Sequence, residues 1–135
     1  MKKALHVAPE IDWAVCSNNN SFSYNSNIPD ERTVIYPGLL KAGLNVLVYN
    51  GEADLCVPYT DNEWWTRTMN LNVSKEWRAW EYDGDQGATV GGYVISYGKN
   101  FQFATVRGAG HMVPETRGQA SLKMMENMVF GKGNF

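Results

Sequence analysis

The sequence predicts an α/β fold, and three observations carry that prediction. Two stretches, residues 45–50 and 101–107, are apolar and β-branched, as strands buried on both faces of a parallel sheet are. Helical patterns precede, separate and follow them, the alternation expected of helices packed on a sheet. Each strand runs into a glycine-containing turn that carries a titratable side chain: Gly51-Glu52-Ala53-Asp54 after the first, Gly108-Ala109-Gly110-His111 after the second. At 135 residues the chain is one domain or part of one, long enough to bury a core.

The elements follow in chain order. Residues 1–12 mix a short helical pattern with a break at Pro9. Their charged start mimics the opening of a signal peptide, but the apolar run ends at Pro9-Glu10-Ile11-Asp12, too soon for one. Residues 17–27 are turn formers, hence a surface loop. Asp30 is placed to cap a helix reaching about Ala42, with Gly43 just past its end and Pro37 expected to kink it or shift its start. Thr60 or Asp61 can cap a helix over residues 62–70. Residues 76–82 alternate aromatic with polar and read as a strand, and residues 83–87 as a turn. Residues 93–97 and 101–107 flank Gly98-Lys99-Asn100 as a hairpin. The last helix is predicted over residues 116–130, with Leu122, Met125, Met128 and Val129 near helical spacing and the methionines read as core filler.

The chemistry sits at the two loops. If both strands belong to one parallel sheet, Asp54 and His111 come to the same sheet end. An acid that orients a histidine is two thirds of a Ser-His-Asp device, and in α/β-hydrolases the chain order is Ser, Asp, His. Glu52, two residues before Asp54, is a rival acid, and an extended backbone would aim both the same way. No serine lies between glycines two residues away on each side, so the nucleophile elbow is missing from these residues. Ser96 has Val94 where the elbow needs glycine.

Val48-Tyr49-Asn50-Gly51-Glu52-Ala53-Asp54 and Val106-Arg107-Gly108-Ala109-Gly110-His111-Met112-Val113-Pro114 resemble the Asp and His motifs of the serine carboxypeptidases, the cathepsin A-like α/β-hydrolases. Lys3–Val7, Trp13 and Cys16 and the order of the elements extend the resemblance over nearly the whole chain. It implies the C-terminal part of an α/β-hydrolase sheet with flanking helices and a β-hairpin, over residues 1–135. It makes His111 the general base, Asp54 its partner and Met112 a neighbour of the leaving-residue pocket. It puts the serine, the oxyanion-hole glycines and the carboxylate-binding acids upstream. The chain then reads as a processed light chain, a truncated gene product or an excised piece of a serine-type carboxypeptidase. The alternatives are a non-catalytic homologue and an acyltransferase of the same kind. Implied partners are a peptide with a free C-terminus and the serine-bearing part; a homodimer is also admitted. Implied locations are the secretory pathway, the lysosome or vacuole, or the cell exterior.

The remaining features narrow the classes. A net charge of −2 gives no electrostatic case for nucleic acid or an anionic membrane, and no apolar run has transmembrane length. Cys16 and Cys56, with His6 and His111, have no zinc spacing, and no cofactor is implied. Cys56 reads as a buried core thiol, and the resemblance pairs Cys16 with an upstream cysteine. Asn19 and Asn72 open glycosylation sequons, which matter only in a secreted protein. Trp64 and Trp65 either line a cleft or pack an amphipathic helix.

Overall fold

The structure, a computed structural model, describes residues 2–11, 32–131 and 135. The 17–27 loop, the Asp30 cap, Trp13, Cys16 and the Asn19 sequon lie outside the described residues. After a 3-10 turn at Lys2–Leu5 come α1 (Arg32–Lys41), β1 (Val46–Gly51), α2 (Tyr59–Thr68), β2 (Val73–Gly84), β3 (Gly87–Tyr97), β4 (Phe101–Val106), α3 (Val113–Thr116) and α4 (Gly118–Val129).

The strands form one mixed sheet in the order β1-β4-β3-β2. β1 and β4 are parallel neighbours, in register from Val46 opposite Phe101 to Gly51 opposite Val106. β2, β3 and β4 are antiparallel, so the predicted hairpin is joined by a second one through β2. β2 is longer than the alternation over residues 76–82 indicates, because its register shifts interrupt the period that marks a strand in sequence.

Side-chain alternation divides the core between the two faces. On one face Phe101, Phe103, Ile95 and Tyr97 pack with Trp65, and Tyr36 and Leu40 of α1 join them. On the other, Ala104, Val106, Val94 and Trp80 pack with Val113, Ala120 and Met124. All six β4 residues are buried, as a central strand covered on both faces requires. Trp80 ties the second face together. Its indole N–H reaches past β3 to donate to the Thr105 carbonyl at 3.0 Å, over Gly91, where a Cβ would collide with the ring. Trp80→Ala is therefore expected to cost about 3–5 kcal/mol, read as a lower denaturation midpoint with an unchanged m-value.

Four expectations need correction. The helix α2 begins earlier than predicted, after Pro58, and no side chain caps it. Asp61, a predicted cap, instead pairs with Arg32 at 3.1 Å. The last helix is broken at Arg117, which leaves helical geometry (φ −139°, ψ 59°), so α3 and α4 are separate. The face of α4 against the sheet is Ala120, Ser121 and Met124; Ala120 and Ser121 are small and let the helix approach closely, Met124 fills the core, and Leu122, Met125 and Val129 are exposed. Met128 is only half-buried. Finally, Cys56 is exposed and free rather than buried, because the Asp54 loop lies outside the sheet. The end of α1 follows the expectation: Gly43 (φ 83°) lies just past it, with Gly43 N–H bonded to Leu40 O and Leu44 N–H to Leu39 O, while the helix runs from Arg32 through Pro37 rather than starting at it. Trp65 is core and Trp64 is exposed.

Candidate active site

The site grows out of the ends of β1 and β4. Backbone bonds continue past both strands: Glu52 N–H donates to Val106 O (3.1 Å) and Ala53 N–H to Ala109 O (2.8 Å). Gly51 makes this possible, since any Cβ there would meet the carbonyl oxygens of Ala109 and Gly110. Gly108 turns the second loop through φ 66°, a conformation that favours glycine.

The first loop then folds around Asp54. Asp54 N–H returns to Gly51 O at 3.3 Å, closing a tight turn. The Oδ1 atom of Asp54 accepts the backbone N–H groups of Cys56 (2.8 Å) and Val57 (3.1 Å), and Oδ2 faces Nδ1 of His111 at 2.7 Å. The Asp54 side chain is only 5% exposed, whereas that of His111 is 62% exposed. The hydrogen bond from His111, then those from the backbone at Val57 and Cys56, hold the carboxyl below its ordinary value of 3.8, against the opposing effect of burial.

An ionised carboxylate only accepts, so the proton between the two groups lies on Nδ1 and Nε2 is left as the acceptor. Nε2 makes no hydrogen bond to another described residue. Such an arrangement can orient an imidazole for general-base chemistry, and the His111 side chain is mostly exposed. Because the Asp54 pKa is lowered on folding, its stabilisation is complete above pH 3.8 and is lost as pH falls through the depressed native value. The stability gap between the parent and Asp54→Asn should be widest above pH 3.8 and should narrow on acidification. Parallel plots of Tm against pH for the two proteins would contradict this.

Glu52 is turned away from His111. Its Oε1 accepts the hydroxyl of Thr105 at 2.8 Å, because the Gly51–Asp54 turn replaces the extended backbone that would have aimed both acids alike. Met112 is exposed beside His111, and its carbonyl accepts the N–H groups of Glu115 and Thr116. Ser96 is buried in β3 and bonded by Arg78 at 3.2 Å; it pairs with Gln102, near the start of β4, away from the end that leads to His111.

Sequence reasoning missed the side chains that pin the first loop. Asn50, 7% exposed at the end of β1, donates to Val57 O (3.2 Å) and accepts from Asn62 of α2 (2.6 Å). A polar residue ending an apolar strand was the available signal. Among the described residues no group of His, Cys, Asp and Glu could hold a metal ion, and no helix is long and apolar enough to cross a membrane.

Two parallel strands that each end in a loop bearing one member of an Asp–His pair belong to an α/β-hydrolase sheet. The chain is a member of the serine carboxypeptidase family, whose family model matches residues 1–131. Serine carboxypeptidase-like 20 of Arabidopsis thaliana is 34% identical over 134 residues, which are 97% of this chain and 26% of that protein. Serine carboxypeptidase ctsa-4.1 of Caenorhabditis elegans is 33% identical over 141 residues, 98% of this chain and 29% of that one. In fold the chain is similar to the crystal structure of a prohormone-processing carboxypeptidase from Saccharomyces cerevisiae, with a TM-score of 0.54 and 21% identity over 74% of this chain and 22% of that one. The chain spans about a quarter of the length of these relatives.

Proposed function

We propose that this chain supplies the acid and the base of a serine-type carboxypeptidase, with Asp54 orienting His111 and His111 activating a serine carried upstream in the same fold. The observation that supports this reading is the 2.7 Å Asp54–His111 contact with the imidazole Nε2 left open. Nε2 takes the serine proton as the hydroxyl attacks the peptide carbonyl, then gives it to the departing amine. Water, or another acceptor in an acyltransferase, then releases the acyl group. In this reading Met112, exposed next to His111, contacts the departing residue, the role the family resemblance gives it. Among the described residues β1 is the sheet edge, and its outer side is where a strand of the serine-bearing part would pair. The reading includes a secretory or lysosomal setting, which the exposed Asn72 of the second sequon suits.

The test is hydrolysis of a peptide with a free C-terminus by the purified chain, alone and mixed with the serine-bearing half of a related enzyme. No turnover alone and turnover on mixing, lost in His111→Ala, is the expected result. Turnover by the chain alone would point to a nucleophile within it. No turnover in any combination would favour the non-catalytic alternative. Transfer to an added alcohol in preference to water would identify the acyltransferase.

A further inference from the structure

A second site lies behind the His111 loop. A cavity of about 210 Å³ opens between the β2–β3 hairpin, the residue after β4 and the start of α4, lined by Tyr82, Thr89, Gly91, Arg107, Arg117 and Ala120 among others. Among the described residues two arginines line it and no carboxylate does. Arg107 is fixed by its backbone N–H, which donates to Gly91 O at 2.7 Å, while its guanidinium has no partner among the described residues. Arg117 occupies the break between α3 and α4, and its Nε donates to Gly108 O at 3.2 Å. A Cβ at Gly108 would lie 2.6 Å from Arg117 Nη2, so glycine lets the guanidinium rest against the loop.

The acids nearest in the fold lie outside the cavity lining, among them Glu81, opposite Val90, and Glu115, two residues before Arg117. Asp83 and Glu126, with Lys123, line a neighbouring cavity that shares only Tyr82, and Asp85 accepts Gln119 at 3.1 Å. The first turn of α4 carries no acid. Two like charges facing one cavity without a counter-charge raise its potential, and guanidinium forks match the paired oxygens of an oxyanion. We propose that this cavity binds a small oxyanion, a carboxylate or a tetrahedral phosphate or sulfate group, between Arg107 and Arg117. Because Arg117 holds the Gly108 carbonyl three residues before His111, the bound anion braces the loop that carries the imidazole.

The experiment is a calorimetric titration of the purified chain with inorganic phosphate and, separately, with acetate, each against chloride at equal ionic strength. Saturable binding of either probe above the chloride control is expected, weakened about tenfold or more in Arg107→Gln and in Arg117→Gln. Arg107→Gln should leave the melting temperature unchanged, since that guanidinium has no partner among the described residues, and it keeps the test valid even if Arg117→Gln unfolds. Tighter phosphate identifies a tetrahedral ligand and tighter acetate a carboxylate. Absence of saturation with both probes, or equal affinity in the parent and Arg107→Gln, would overturn the proposal.

Discussion

His111→Ala is expected to lower kcat of the assembled enzyme by roughly 10⁶-fold, the scale seen when a serine hydrolase loses its base. On the proposed reading, without the imidazole no group on either loop can take the serine proton: Asp54 is 5% exposed and engaged by two backbone N–H groups, and Glu52 is bonded to Thr105. Asp54→Asn should cost less, on the order of 10⁴-fold, because it leaves the imidazole present but removes the acceptor that fixes its tautomer. The double variant should be no slower than His111→Ala alone, since the two residues act as a unit. KM should change little in all three, as neither group is asked to bind the ground state. Activity within tenfold of the parent in His111→Ala, or additive losses in the double variant, would exclude the pair from the reaction.

The parallel β1–β4 pairing was legible because both strands are short, continuous apolar runs ending in glycine, and burial on both faces leaves that signature. The ends of the helices were less so. Thr60 and Asp61 carry capping chemistry, yet the chain enters α2 directly from Pro58, whose fixed φ of −63° suits an entry without a side-chain cap. The break at Arg117 left no strong mark, for only Gly118 hints at it. The face of α4 was misread because large apolar residues attract attention, whereas the sheet selects Ala120 and Ser121 for closeness. The apolar stripe of Leu122, Met125 and Val129 therefore points away from this sheet.

At the site, the resemblance singled out Asp54 and His111, while the residues alone left Asp54 and Glu52 open; the structure brings Asp54, not Glu52, to His111. The two acids are two residues apart, and alternation alone would aim them together. A tight turn decides between them, and Thr105, a buried strand residue with no mark in sequence, gives Glu52 its partner. Cys56 was misjudged for a related reason: its neighbours Leu55 and Val57 are apolar, but the loop is shaped by Asp54 accepting N–H bonds rather than by burial.

Gly51→Ala is expected to be among the most damaging single methyl additions in the chain. A Cβ there would fall within the carbonyl oxygens of both Ala109 and Gly110. These are backbone atoms, and Ala109 is fully buried with its carbonyl already accepting Ala53 N–H at 2.8 Å, so no side chain can swing aside. The end of β1 must separate from the His111 loop, which breaks that bond and draws Asp54 away from the imidazole. Overpacking costs about 1–3 kcal/mol and each lost backbone bond about 1 kcal/mol, so a loss of about 3 kcal/mol is expected, roughly 10 °C in Tm. Activity of the assembled enzyme should fall further, by about 100-fold, since a misplacement near 1 Å is enough for that. Gly110→Ala is the control from the same contact: nothing lies within 4 Å of its Cβ position, so it should melt with the parent. If Gly51→Ala also melts with the parent and keeps its activity, the two loops do not interlock through Gly51 and the Asp54–His111 geometry must be held by Asn50 and by the bonds from Cys56 and Val57 N–H to Asp54.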